Sequence, residues 1–410
     1  MKVFEKMLTL ERREAFLNRK DKSFNITDDE FEELNKYIMS DECTSDITRL
    51  DSGDFFFSIP DMIRLRKGHS DKRRTIYRFP DKEKMLMKYM AFVLHDFDYL
   101  YSDSLFSFRL GKTVCEIFRD LTRLRCAETD WILKGDIKGF GDNVNPEILC
   151  SQLEEFFGQE DPKLVWFCKC LLLRGEFYER GELKKGSTGA LSGCALTNFF
   201  ENIYLLDVDE MIRKKATYYC RFADDIAVFL KSREDTDALY AELCNTFKER
   251  NLTFNMSKTE IVPPGGSFEL LGFNVEGNVY DISDNSLGKI EWKLRHRAKK
   301  LVRMQRKGWI TKEEAEQRMI TRINNYFFKR EADSHELNWV DWAFRVLTRS
   351  DSLKRLDSCA QSCIRYAGSG GKNTDSRYKV RYKDMRRKGY RTLVHAFYHR
   401  ETLKEFEKKA

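Results

Sequence analysis

Apolar residues recur in two rhythms along this chain, and the places where the rhythm changes divide it into stretches. Over residues 1–55 the spacing is helical. Asp28-Asp29-Glu30 opens a helix whose Phe31, Leu34, Tyr37 and Ile38 fall on one side, acidic residues being favoured in a first helical turn. Residues 56–82, FFFSIPDMIRLRKGHSDKRRTIYRFPD, read instead as two strands joined by a polar, glycine-containing turn with Lys67, Lys72, Arg73 and Arg74 near its tip. The helical period returns over 83–125, broken by YSDSLFSFRLGKT. A short strand, Trp131 to Leu133, then runs into Gly135-Asp136, followed by a helical stretch and the strand-turn-strand unit YYCRFADDIAVFL. Next, Leu239, Leu243 and Phe247 recur every four residues on a helix that ends before Asn251. Alternation of this kind across 131–275 predicts a sheet with helices packed on it. From about residue 289 the pattern is helical and basic, interrupted by AGSGGKNTDS at 367–376.

Composition narrows the class. A chain of 410 residues exceeds what one core usually organises, so two or three modules are expected, and 41% hydrophobic residues with only 6 prolines describe a folded protein. The net charge of +7 is unevenly placed: residues 289–410 carry 32 Lys+Arg against 15 Asp+Glu, or +17, which leaves −10 for residues 1–288. A basic module joined to an acidic one points to a polyanionic partner, because each cation set on a phosphate releases condensed counterions. No apolar stretch approaches a membrane span and the N-terminal MKVFEKMLTLERREAF is charged throughout, so a cytoplasmic protein without a membrane partner is expected. The 11 cysteines show no CxxC pair, Cys168 and Cys170 being the closest, and the 6 histidines form no HExxH; core thiols are expected, with neither zinc site nor disulfide framework. Trp292, Trp309, Trp339 and Trp342 are expected as anchors of a helical core.

The segment CRFADDIAVFL carries the most chemistry. An apolar strand runs into Ala223-Asp224-Asp225 and another runs out, which places two adjacent carboxylates at a hairpin turn. Like charges held so close raise one another's pKa unless a cation sits with them, and a divalent metal supplies one. Asp136 ends a second strand in KGDIKGF, where a sheet can bring it opposite the hairpin. Carboxylates from separate strands holding two Mg²⁺ suit an in-line displacement at phosphorus. An isolated Asp-Asp turn is more often merely solvated; the order of several segments decides against that here.

IYRFPDKEKMLMKY and YSDSLFSFRLGKT resemble the fingers blocks of the reverse transcriptase family, in its bacterial, group II intron-like branch. KGDIKGF resembles the family's motif A, GALSGCALTNFFENIYL its motif B, YCRFADDIAVF its motif C, LTFNMSKTEI its motif D and FELLGF its motif E, in order over about residues 60–275. The resemblance implies an α+β right-hand polymerase: an N-terminal helical arm (1–55), fingers (56–130), a palm with an antiparallel sheet (131–285), and a basic helical thumb with C-terminal extension (286–410). It implies RNA-directed DNA synthesis with two Mg²⁺, for which Mn²⁺ can substitute. Asp136, Asp224 and Asp225 would be the catalytic metal ligands, with the Ile137 carbonyl, and Lys258 the general acid. Arg73 or Arg74 would clasp the triphosphate, and Gly193 and Asn202 would lie at the nucleotide. Arg109 and Gly272 match positions next to nucleic acid, Arg109 having a structural ion pair as its other reading. Arg381, Lys383, Arg386, Arg387 and Lys388, the densest basic cluster, are the expected phosphate contacts.

Two departures from the family stand out. Five residues after Asp136, where an aromatic side chain usually blocks a ribose 2′-hydroxyl, the chain has Gly141 preceded by Phe140. Either Phe140 swings in as the gate, the favoured reading, or the gate is open and ribonucleotides are poorly rejected. Motif B has Leu191-Ser192-Gly193 where Pro-Gln-Gly is usual. These features are most similar to the defence-associated, abortive-infection-like reverse transcriptases, which implies a structured noncoding RNA template, a DNA primer or product and deoxynucleotides, in antiphage defence. A maturase-like RNA-binding scaffold and untemplated or protein-primed synthesis are the alternatives. Oligomeric state is not legible.

Overall fold

The computed structural model describes residues 2–21, 26–66, 73–329, 339–371 and 376–400. Lys67 and Lys72 of the basic turn lie outside them. The chain forms two compact units, one of residues up to Ile117 together with Thr129–Pro264, the other of Phe118–Glu128 with the residues from Gly265 onward.

In the first unit four helices precede the first strand, over Val3–Leu8, Leu10–Asp21, Asp28–Ile38 and Asp41–Asp51. Thr27 and Glu30 cap the third reciprocally, and Leu34, Tyr37 and Ile38 are buried by it as the spacing predicts. Strands β1 (Asp61–Arg66) and β2 (Arg73–Arg78) form the expected antiparallel hairpin. After the helix Asp81–Leu94, and the helix Val114–Leu124 whose residues from Phe118 belong to the second unit, β3 (Trp131–Asp136) extends the short strand predicted at Trp131 to Leu133 up to the aspartate itself. Strands β4 (Glu176–Glu179) and β5 (Glu182–Lys185) were not foreshadowed by the hydrophobic pattern. β5 is exposed throughout and β4 mostly half-buried, so no apolar alternation marks them, and β4 extends the β1–β2 sheet through a parallel pairing of Asp61 with Tyr178. The second sheet of this unit has the order β6-β7-β3-β8, with β6 (Tyr218–Phe222), β7 (Asp225–Leu230) and β8 (Glu260–Val262), all antiparallel. Central β3 and β7 are buried along almost their whole length, and the helix Arg233–Glu249 contributes Leu239, Leu243 and Phe247 to the same core.

In the second unit the break Pro263-Pro264-Gly265-Gly266 precedes a three-stranded meander, β9 (Ser267–Leu270), β10 (Phe273–Glu276) and β11 (Val279–Ile282). It falls with the basic helices rather than with the strands of 131–262, with which the sequence grouped it. The helix Asp284–Arg306 buries Leu287, Ile290, Leu294, Ala298 and Leu301 against Asp351–Gly368 and Lys312–Phe328. Two of the four tryptophans depart from expectation: Trp292 is 41% exposed and Trp309 66%. Trp292 lies midway between Ile290 and Leu294, on the outward face of its helix, and stacks on His296, while the Lys307 ammonium sits 4.6 Å from the Trp309 ring. Trp339 and Trp342 do pack as anchors, 4.9 Å from Phe327 and 5.0 Å from Phe273 between ring centres.

Nine cysteines are buried and Cys170 and Cys244 half-buried, all as free thiols. Among the described residues no helix is long and apolar enough to cross a membrane.

Candidate active site

Asp136 and Asp225 stand directly opposite each other, the last residue of β3 against the first of β7. Asp224 joins them through the backbone, since the Ile137 N–H donates to the Asp224 carbonyl at 2.9 Å. The β6–β7 turn holds Ala223 at φ 56°, a left-handed conformation that costs an alanine about 1–2 kcal/mol. What pins that turn is Arg221. Its fully buried guanidinium donates to both carboxylate oxygens of Asp209, at 2.7 and 2.5 Å, and to the Ala223 carbonyl at 3.3 Å. Tyr219 donates its hydroxyl to the same Asp209 at 2.6 Å. The chemistry therefore rests on a buried ion pair one strand residue behind it.

The three carboxylates differ in surroundings. Asp224 is exposed at the turn, and Asp136 is only 9% exposed. Burial raises the Asp225 pKa; Lys134 opposes that, and Asp224 and Asp136 add to it. Lys134, buried two residues before Asp136 on the same face of β3, forms a short ion pair with Asp225. Lys258 Nζ is 2.7 Å from Asp136 Oδ1, and Asn255 Nδ2 donates to Asp136 Oδ2 at 3.1 Å. Burial works against the charged form of Lys258, but the bond to Asp136, with Asp224 and Asp225 nearby, outweighs it and holds its pKa above the ordinary lysine value. Two lysines thus neutralise two of three clustered carboxylates. Among the described residues no three His, Cys, Asp or Glu side chains are already grouped to chelate a metal. The donor set is nonetheless of the right kind for Mg²⁺ or Mn²⁺: hard carboxylate oxygens, one exposed, converging with excess negative charge. Lys258, mostly exposed on a flexible stem, can release Asp136 to such an ion.

Around this centre the positions singled out in the sequence separate. Arg73 and Arg74 are exposed on β2, and the Arg74 charge is felt at Glu201, as is that of Asp224. Strand β2 is tied to the loop before the helix Thr197–Tyr204, Tyr77 N–H donating to the Ser192 carbonyl at 2.8 Å. Gly193 makes that approach possible: it sits at φ 96°, and a Cβ there would stand 2.4 Å from Ile76 Cγ2. Asn202 lies elsewhere, buried, with its amide donating to the Ser107 carbonyl at 3.3 Å. Arg109 is taken up by the carbonyls of Ser102, Leu105 and Asp98 at 2.7 to 3.3 Å, which makes it a staple of its own loop and not the partner of an ion pair. Phe140 is 4% exposed in the core cluster, so the favoured gate is not at the site's surface, and the Ile137 side chain is buried with it.

In the second unit Gly272 follows Leu271 in the β9–β10 turn, both at positive φ (86° and 51°), the backbone of a two-residue hairpin. Arg381, Lys383, Arg386 and Arg387 are exposed, but Arg386 also donates to the Tyr390 carbonyl at 3.0 Å, and Lys388 pairs with the buried Glu316 at 2.8 Å.

Sequence reasoning missed Lys134, Arg221, Asp209 and Glu201. Alternation along β3 marks Lys134 as sharing a face with Asp136, and a lone arginine inside the apolar run YYCRFADDIAVFL signals a buried partner; nothing local marks Glu201.

Residues 65–275, just over half of the chain, match the sequence profile of the family described as "Reverse transcriptase (RNA-dependent DNA polymerase)". No curated protein matches. Among solved structures the chain is similar to apo telomerase from Candida tropicalis truncated from its C-terminal domain, at 13% identity and TM-score 0.45 over 55% of each chain. It is also similar to telomerase from Candida albicans in complex with a TWJ fragment of telomeric RNA, at 12% identity and TM-score 0.41, over 84% of this chain and 68% of that one. The chain spans 55% of the length of the first of these. Its motifs, its paired strand-end carboxylates and the profile match agree: the chain belongs to the reverse transcriptase family.

Proposed function

We propose that the chain is an RNA-directed DNA polymerase that extends a 3′-hydroxyl with deoxynucleotides at a site of two Mg²⁺ ions, with Mn²⁺ able to replace them. The observation that carries this reading is the convergence of Asp136, Asp224 and Asp225, through the β3–β7 register and the Ile137-to-Asp224 backbone bond at 2.9 Å. When bound, the ions would stabilise both the attacking and the leaving oxygen. Asp136, Asp224 and Asp225, with the Ile137 carbonyl, hold them; Asp225 also keeps Lys134 in place. Lys258 gives up Asp136 and presents its proton to the departing pyrophosphate. Arg73 and Arg74 take the triphosphate, for which a guanidinium offers two parallel donors. The exposed cations of the second unit, Arg381, Lys383 and Arg387 among them, hold the nucleic-acid backbone.

The sequence resemblance supports a structured noncoding RNA as template, in the bacterial cytoplasm and in defence against phage. Protein purified with its bound RNA, supplied with Mg²⁺ and labelled deoxynucleotides, tests this: the DNA made should be complementary to a discrete copurifying RNA, and prior ribonuclease treatment should abolish it. DNA of a sequence unrelated to any bound RNA, made equally well after ribonuclease, would replace templated copying with untemplated synthesis.

A further inference from the structure

Gly141 lies five residues beyond Asp136 and carries no side chain, yet the space one would fill is occupied. A Cβ placed there would stand 2.6 Å from Glu201 Oε1 and 2.6 Å from Ser192 Oγ. Glu201 comes from the helix Thr197–Tyr204 and is 8% exposed, and among the described residues no hydrogen-bond donor reaches its carboxyl. Burial, with the Asp224 charge, pushes the pKa of this carboxyl up to about 7, and its oxygens keep acceptor capacity for a donor that a ligand brings. Glu201 is also electrostatically coupled to both ends of the site, to Asp224 as a like charge and to Arg74 as an opposite one. Glu201 is thus within electrostatic reach of the residues proposed to hold the reacting phosphate, at Asp224, and the outer phosphates, at Arg74, and the group attached directly to the reacting phosphate is the sugar. Phe140, in the core, leaves the position to Glu201 and Ser192.

We propose that Glu201 reads the sugar of the incoming nucleotide, its carboxyl accepting a hydrogen bond from a ribose 2′-hydroxyl beside the bare backbone of Gly141, so that ribonucleotides enter alongside deoxynucleotides. This rests on the polymerase reading and deepens it. A bulky apolar side chain at such a position rejects the hydroxyl by collision; an acceptor held there offsets the cost of burying it, which lets both sugars in. Ser192 Oγ supplies a second polar atom in the same wall.

The test compares kcat/KM for ribonucleoside and deoxyribonucleoside triphosphates on one primed RNA template. It uses the wild type, Glu201→Leu, Glu201→Gln and Gly141→Ala. Leucine removes the acceptor at similar size, and the ratio of ribo to deoxy use should fall about 10-fold, as expected for losing one hydrogen bond. Glutamine keeps an acceptor and should hold the ratio within about threefold of the wild type. Gly141→Ala forces the Glu201 and Ser192 tips aside without backbone strain and should lower the ratio in the same direction, an independent reading should the leucine variant fail to fold. A wild type that uses deoxynucleotides but rejects ribonucleotides overturns the proposal, as does a ratio unmoved by Gly141→Ala or Glu201→Leu. A wild type that incorporates neither sugar overturns the polymerase reading, and this one with it.

Discussion

Asp136 and Asp225 face each other across the β3–β7 ladder, and each is held by a lysine, Asp136 by Lys258 at 2.7 Å and Asp225 by Lys134. The two lysines are not equivalent. Lys134 is buried on the central strand β3, whereas Lys258 is mostly exposed and reaches in from the loop after Asn255. The first is a fixed part of the site and the second an exchangeable one.

Lys258 and a divalent cation therefore compete for the same carboxylate. Lys258→Met should bind Mn²⁺ more tightly than the wild type, by titration calorimetry, while its single-turnover incorporation rate drops about 10²- to 10⁴-fold through loss of the proton donor. Weaker Mn²⁺ binding in the variant would contradict the competition.

Removing Lys134 has a different signature. Lys134→Met leaves Asp225 buried beside two other carboxylates with no cation, which raises its pKa further; the metal-free protein should lose about 3–5 kcal/mol of stability, as for a broken buried pair. Saturating Mg²⁺ should restore part of this, read as a rise in melting temperature larger than the wild type shows.

The Arg221–Asp209 pair supports the turn that carries Asp224 without touching the reaction. Asp209→Asn should cost about 3–5 kcal/mol in chemical denaturation because it strands a fully buried guanidinium, whereas the double change Arg221→Met with Asp209→Leu should recover much of that stability. The double variant should still incorporate poorly, since Ala223 loses the donor that holds its left-handed backbone.

The basic cluster at 381–388 divides into cations open to phosphate and cations committed to the fold. Alanine at Arg381, Lys383 and Arg387 together should weaken RNA binding at every sequence and lower the slope of log affinity against log salt by about one for each phosphate no longer neutralised. Lys388→Ala should instead show up mainly in stability, because it leaves the buried Glu316 carboxylate without its partner.

The hairpin of Asp224 and Asp225 was legible because its strands and turn are contiguous in the chain: a largely apolar strand, a two-residue turn and another apolar strand. Asp136 was legible for a similar reason, as the acidic end of a strand that opens on the apolar run Trp131-Ile132-Leu133. The residues that make the site work beyond its ligands were not, because their partners are distant in the chain. Lys134 meets Asp225 ninety-one residues on, and Glu201 comes to Gly141 from a helix sixty residues on. Trp292 and Trp309 went astray for another reason: helical spacing says which residues share a face, not which face another helix covers. The β4–β5 hairpin left no clear pattern, since β5 is exposed throughout and no residue of β4 is fully buried.

The central claim, that these carboxylates carry RNA-directed DNA synthesis, is tested most directly by one comparison. Wild-type protein and the Asp224→Ala, Asp225→Ala double variant, each purified with bound RNA, are given Mg²⁺ and labelled deoxynucleotides. Incorporation by the wild type that falls at least about a thousandfold in the variant, with RNA still bound, is the predicted result, since losing the metal removes several kcal/mol of transition-state stabilisation. Equal incorporation by both proteins would contradict it by taking the chemistry away from these carboxylates, and none by the wild type on any RNA it binds would contradict it and leave an RNA-binding scaffold.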